Sequence, residues 1–138
     1  MNQEKLIERL VEVSLDTARA MLDEYKLVIP FGTRVFKNDD DVKMNCPADK
    51  NRDADWDEQI ELVVTELKDF VENEEIFATA LVTSLEAEAE MGIGLQVETE
   101  MSSVLFIYPY RKEDDKWVID EPVQTEQLLA SVYSNSAT

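Results

Sequence analysis

Histidine is absent from this 138-residue chain, cysteine occurs once and glycine three times. Each shortage removes a class of chemistry. Without histidine there is no Ser-His-Asp or Cys-His nucleophile and no histidine-ligated zinc or non-haem iron site. Gly32, Gly92 and Gly94 are too few for a phosphate-binding loop or a dinucleotide fingerprint. Cys46 has no second cysteine to bridge to and acidic surroundings that discourage a thiolate, so it reads as structural or merely exposed. No apolar run is long enough to span a bilayer, and the opening MNQEKLIERL lacks the apolar core of a signal peptide. With a lone cysteine, these features point to a reducing cytoplasm and to no membrane contact. No cofactor, no metal site and no catalytic residue set is implied.

Positive charge is also scarce. Thirteen Lys and Arg stand against 31 Asp and Glu, a net charge of −18 at pH 7. Such a chain is repelled by nucleic acid and attracted to basic proteins or cations, although a plain solubility surplus explains the charge equally well. The hydrophobic fraction of 44% is ordinary for a folded protein. Length and the lack of internal repeats suit a single domain over residues 1–133, with 134–138 expected as a disordered tail.

What is there falls into periodic blocks. Ile7, Leu10, Val11, Ala18, Met21, Leu22 and Tyr25 recur at helical spacing over Gln3 to Glu24. Leu27 to Phe36 reads as a strand interrupted at Pro30-Phe31-Gly32, and therefore as an edge or bulged strand. Asn38 to Asp41 makes a hairpin turn into Val42–Asn45; its acids lack the alternating ligands, glycine and closing glutamate of a calcium loop. A second helix starts at Asp53 or Asp55 and runs to Asn73 with Trp56, Ile60, Val63, Val64, Leu67, Phe70 and Val71 on one side.

The central stretch, Phe77 to Arg111, changes period from 3.6 to 2. Odd positions from Phe77 to Met91, then Ile93, Leu95, Val97 and Met101, are largely apolar, while Glu86, Glu88, Glu90, Glu98 and Glu100 fall on even ones. A three-residue turn at Gly92–Gly94 keeps the odd face common to both strands. Glu88 then faces Glu98 and Glu86 faces Glu100, on an exposed side with no lysine or arginine between Lys68 and Arg111. Relieving that repulsion by Glu88→Gln with Glu98→Gln is expected to leave the fold as stable or slightly more so. LEAEAEM is also rich in helix formers, so a helix is the competing reading. Val104 to Tyr110 is apolar at both parities, which suits a doubly covered strand or a subunit interface, and a homodimer is expected. Lys116–Ile119 is the last strand, stopped by Pro122. The fold class is α+β: two helices packed on one face of an antiparallel sheet of about four to six strands.

The pieces VIPFG, IFATALVTSL, LQVETE and VLFIYPYR, covering about Leu22 to Asp120, resemble a family of small, functionally uncharacterised bacterial proteins with a Pro-Phe-Gly turn and a Pro-Tyr strand end. Pro30, Phe31, Gly32, Glu98, Pro109 and Tyr110 match; Met101-Ser102-Ser103 departs where a glycine is usual. The resemblance implies no catalytic set, and some such acidic proteins are suspected partners or immunity factors of toxins. The expectation is a non-enzymatic protein whose Glu86, Glu88, Glu98 and Glu100 bind a basic protein partner. The alternative is a divalent-metal binder or carboxylate hydrolase using the same four residues.

Overall fold

The chain enters α1 (Gln3–Tyr25) through Asn2, whose side-chain oxygen accepts from the Glu4 amide, and leaves it through Lys26 in the left-handed conformation. The computed structural model describes residues 2–49, 54–87, 90–125, 129 and 131–133. Leu6, Leu10, Ser14, Ala18 and Leu22, four apart, form the buried stripe of α1. Ser14 is tolerated there because its hydroxyl meets that of Thr33 at 2.7 Å. The second helix, α2 (Trp56–Asn73), is capped by Asp55, which accepts from the Glu58 amide.

The described residues also form seven strands: β1 (Phe31–Phe36), β2 (Asp39–Asn45), β3 (Ile76–Ala87), β4 (Glu90–Glu98), β5 (Ser103–Glu113), β6 (Lys116–Ile119) and β7 (Val123–Thr125). They form an antiparallel sheet in the order β2-β1-β3-β4-β5-β6, with β7 also pairing with β5. The α+β class, the two helices and the antiparallel sheet are as expected. The strand beyond the expected six is β7, which lies past Pro122.

The layering differs from the expectation of two helices on one face. Phe31, Val35, Ala78, Ala80, Val82, Ile93, Leu95 and Val97 pack with Leu6, Leu10, Ala18 and Leu22 of α1. Leu81, of opposite parity on β3, packs instead with Val63, Val64 and Leu67 of α2 and with Val132. The helices therefore cover opposite faces. Burial at both parities is the cause: β1 and β4 are buried at nearly every position, and each face needs its own cover.

Double cover also overturns the hairpin register. Thr79 pairs with Glu98, Leu81 with Gln96 and Ala87 with Glu90, so odd residues of β3 stand opposite even residues of β4. Parity arguments fix a register only where one face is exposed. Gly92 and Gly94 lie within β4, not in a turn, and neither has positive φ. They give room instead. A Cβ on Gly94 would lie 2.4 Å from Leu85 Cδ1, and one on Gly92 would lie 2.6 Å from Ile107 Cγ2.

β1 is an interior strand, not an edge, and its irregularity falls between Val35 and Phe36. Pro30 precedes the ladder, so its missing N–H costs no strand pairing. The expectations for Glu88 and for residues 134–138 lie outside the described residues. No helix among the described residues is long and apolar enough to cross a membrane.

Candidate functional site

Glu98 is the residue where sequence and structure disagree most. Placed by alternation on a solvated face, it is 1% exposed at the end of β4, on the face that α2 covers. Its Oε1 accepts from Gln96 Nε2 and from the Val132 amide, both at 2.9 Å. Its Oε2 accepts from Ser103 Oγ at 3.0 Å, Ser131 Oγ at 2.6 Å and the Tyr133 amide at 3.3 Å. Five neutral donors occupy the two oxygens, leaving no lone pair directed at a substrate, metal or partner.

The donors explain the burial. Residues 129 and 131–133 lie outside helix and strand, and the amides of Leu129, Val132 and Tyr133 are received by side chains of β4. Gln96, fully buried, accepts from the Leu129 amide at 2.7 Å and directs its NH2 to the Leu129 carbonyl at 3.5 Å. Gln96 and Glu98 together take over the pairing that a strand would have provided. Leu129, Val132 and Tyr133 then insert their side chains beside α2.

One row across this face carries most of its polarity: Lys43, Arg34, Thr79, Glu98 and Ser103 are successive cross-strand partners. Arg34 is buried. Its guanidinium lies 3.6 Å from the centroid of the Phe70 ring, and its Nε donates to Glu74 Oε1 at 2.8 Å. Nearby, burial and then the charges of Glu100 and Glu98 push the Tyr133 hydroxyl up to about 12.

The described members of the expected site, Glu86, Glu98 and Glu100, are not brought together. Glu86 faces Met91, seven residues along β3 from the Thr79 that faces Glu98, a separation of roughly 23 Å at about 3.3 Å per residue. Glu86 and Glu100 are exposed, at opposite ends of the β3–β4 pair; Glu88 lies outside the described residues. Among the described residues no three His, Cys, Asp or Glu are arranged to hold a metal ion.

Met101, assigned by parity to the buried face, is 91% exposed. It sits on the connection from β4 to β5, which Thr99 closes by accepting from the amides of Met101 and Ser102 at 3.1 and 3.2 Å. That connection borders a cleft of about 550 Å³ lined by Glu4, Ile7, Lys37, Phe77, Glu100 and Met101 among others. Nothing in the alternating pattern pointed to it, because it joins the first turn of α1 to a strand end nearly a hundred residues later.

No family model, curated protein or solved structure matches this chain. The residues on which the expected resemblance rests have structural surroundings of their own. Gly32 lets Leu67 approach, Phe31 is fully buried, Pro109 faces Gly92, and the Tyr110 hydroxyl meets Ser84 Oγ at 3.0 Å. Ser84 Oγ in turn accepts from the Val28 amide at 2.7 Å. Glu98 anchors the C-terminal segment.

Proposed function

We propose that this chain is a non-enzymatic, acidic interaction protein that binds a basic protein partner, in the manner of an immunity-type inhibitor of a toxin. The observation that supports this reading is the state of its surface carboxylates. Ion pairs among the described residues engage Glu12, Glu74, Glu75, Glu113 and Asp120. Glu4, Glu8, Asp16, Asp23 and Glu24 on α1 and Asp57, Glu58, Glu61, Asp69 and Glu72 on α2 are exposed and outside those pairs. A surface with this many uncompensated carboxylates steers cationic proteins and accelerates their association. Among the described residues the metal-binding or hydrolase alternative has no converging carboxylates to support it, since Glu98 is enclosed and Glu86 is distant from Glu100.

The tagged protein at low ionic strength is expected to retain a basic protein whose association rate falls steeply with salt. Retention that is insensitive to salt, or retention of acidic proteins alone, overturns the reading.

A homodimer through β5 belongs to the same proposal. Leu105 is buried and Val104, Phe106 and Ile107 are half-buried, so this strand keeps apolar side chains on both faces away from the main contacts of either helix. Sedimentation at micromolar concentration is expected to show a species heavier than the 15.8 kDa chain, returned to that mass by Phe106→Lys. A single species of monomer mass for the unaltered protein removes the dimer.

A further inference from the structure

We propose that the basic partner docks in the cleft between the first turn of α1 and the β4–β5 connection. In this arrangement an apolar side chain of an amphipathic segment enters between Ile7, Phe77 and Met101, and its lysines or arginines meet Glu4 and Glu100. The proposal rests on the reading of an acidic protein with a basic partner and assigns that partner a place.

Three features of the cleft converge. Its volume, about 550 Å³, falls within the range of sites that enclose a ligand group, and its floor is formed by Leu6, Ile7, Ile76 and Phe77. Met101 stands at its rim almost fully exposed, on a turn held by four bonds: the two amides to Thr99 Oγ1, the Thr99 amide to the Ser102 carbonyl at 2.8 Å, and the Thr99 and Ser102 hydroxyls at 3.3 Å. A flexible, polarisable side chain on a fixed backbone suits a surface that must adapt to a partner's apolar groups. The rim charge is negative. Among the described residues that line the cleft, Lys37 is the one cation and lies 3.8 Å from Glu75, so Glu4 and Glu100 are left to face whatever enters.

A second cleft sharpens the assignment. It has nearly the same volume, about 530 Å³, and its lining includes Lys26, Glu90, Met91, Arg111 and Asp120. Arg111 is bound to both Glu113 and Asp120, and cations and carboxylates balance around the opening. It lacks the net negative rim that a cationic segment requires.

The test uses the whole protein carrying ¹³C-methyl methionine, which places probes at Met101 in the proposed cleft and at exposed Met91 and Met44 away from it. The probe ligand is a short peptide of leucine and lysine at helical spacing, compared with a lysine-serine peptide of equal charge. The leucine-lysine peptide is expected to bind more tightly and to move the Met101 methyl signal, leaving those of Met91 and Met44 in place. Met101→Gln and Glu100→Gln are each expected to weaken it about fivefold, and Glu86→Gln, at the far end of β3, by less than about twofold. Binding that moves Met91 or Met44 and spares Met101 overturns the site while leaving the basic-partner reading intact. Equal binding of the two peptides also overturns it, because charge alone is then being read. Failure of both peptides to bind at low salt overturns the site and the basic-partner reading together.

Discussion

The two faces of the sheet solve the same problem in different ways. On the α1 face the cover is a helix whose backbone is already paired within itself, so the sheet beneath offers Phe31, Val35, Ala78, Ala80, Val82, Leu95 and Val97 and little else. Its buried polar groups are short and mutually matched: Ser14 with Thr33, and Ser84 with Tyr110 and the Val28 amide. The opposite face is covered partly by α2 and partly by the irregular segment through Leu129 and 131–133. An irregular cover arrives with unpaired backbone groups, and the sheet beneath it must present side chains to receive them. Gln96 and Glu98 do so. A buried carboxylate with no cation against it among the described residues is thus a consequence of what lies on top.

The comparison can be broken most forcefully on the apolar side. Leu10→Ala empties a fully buried position of α1 and is expected to cost about 3 kcal/mol of unfolding free energy in urea titration, with the whole fold losing stability together. A loss below about 1 kcal/mol would mean that α1 is not packed as described. Glu98→Gln comes next, at about 2 kcal/mol, because one oxygen must now serve amides and hydroxyls that two served before. This effect should be local first: the Val132 and Tyr133 amides are expected to exchange faster while those of β3 stay protected. Unchanged exchange at those two amides would show that Glu98 does not hold the segment. The gain in stability expected from removing opposed charges at Glu98 is therefore replaced by a loss.

Tyr133 sharpens the same face through pH. Its hydroxyl keeps its proton to about 12 in the fold, chiefly through burial, whereas an unfolded tyrosine loses it near 10. Stability linked to neutral Tyr133 is complete below about pH 10 and is lost as pH rises toward about 12. Tyr133→Phe is expected to flatten the decline across that window relative to the unaltered protein. Equal declines in the two proteins would disconnect Tyr133 from alkaline unfolding. The smallest effect belongs to Glu86→Gln, an exposed position at a strand end, expected to change stability by less than about 0.5 kcal/mol. A larger change would place Glu86 in a contact that its exposure does not suggest.

Both helices were legible in the sequence to within a few residues, as were Asp55 as a cap and the strands around Phe77, Leu95 and Leu105. These depend on local periodicity and capping, which adjacent residues carry in full. Local pattern puts the turn at Gly92–Gly94, whereas glycine there serves the approach of Leu85 and Ile107 across strands, a demand that no local pattern records. The exposed cluster was misread for a related reason. Even positions of β4 carry Gln96 and Glu98, polar residues that alternation assigns to water, yet their partners lie more than thirty residues away in sequence.

By itself the amino-acid sequence determined an acidic α+β chain with two amphipathic helices and an antiparallel meander, because charge and period are properties of neighbouring residues. Which face each helix covers, which register β3 and β4 adopt and whether Glu98 meets water were decided only by the tertiary structure. A strand of period two has two equivalent faces, and only what packs against them, here α1 on one side and α2 with the C-terminal segment on the other, makes one side chain buried and its neighbour free.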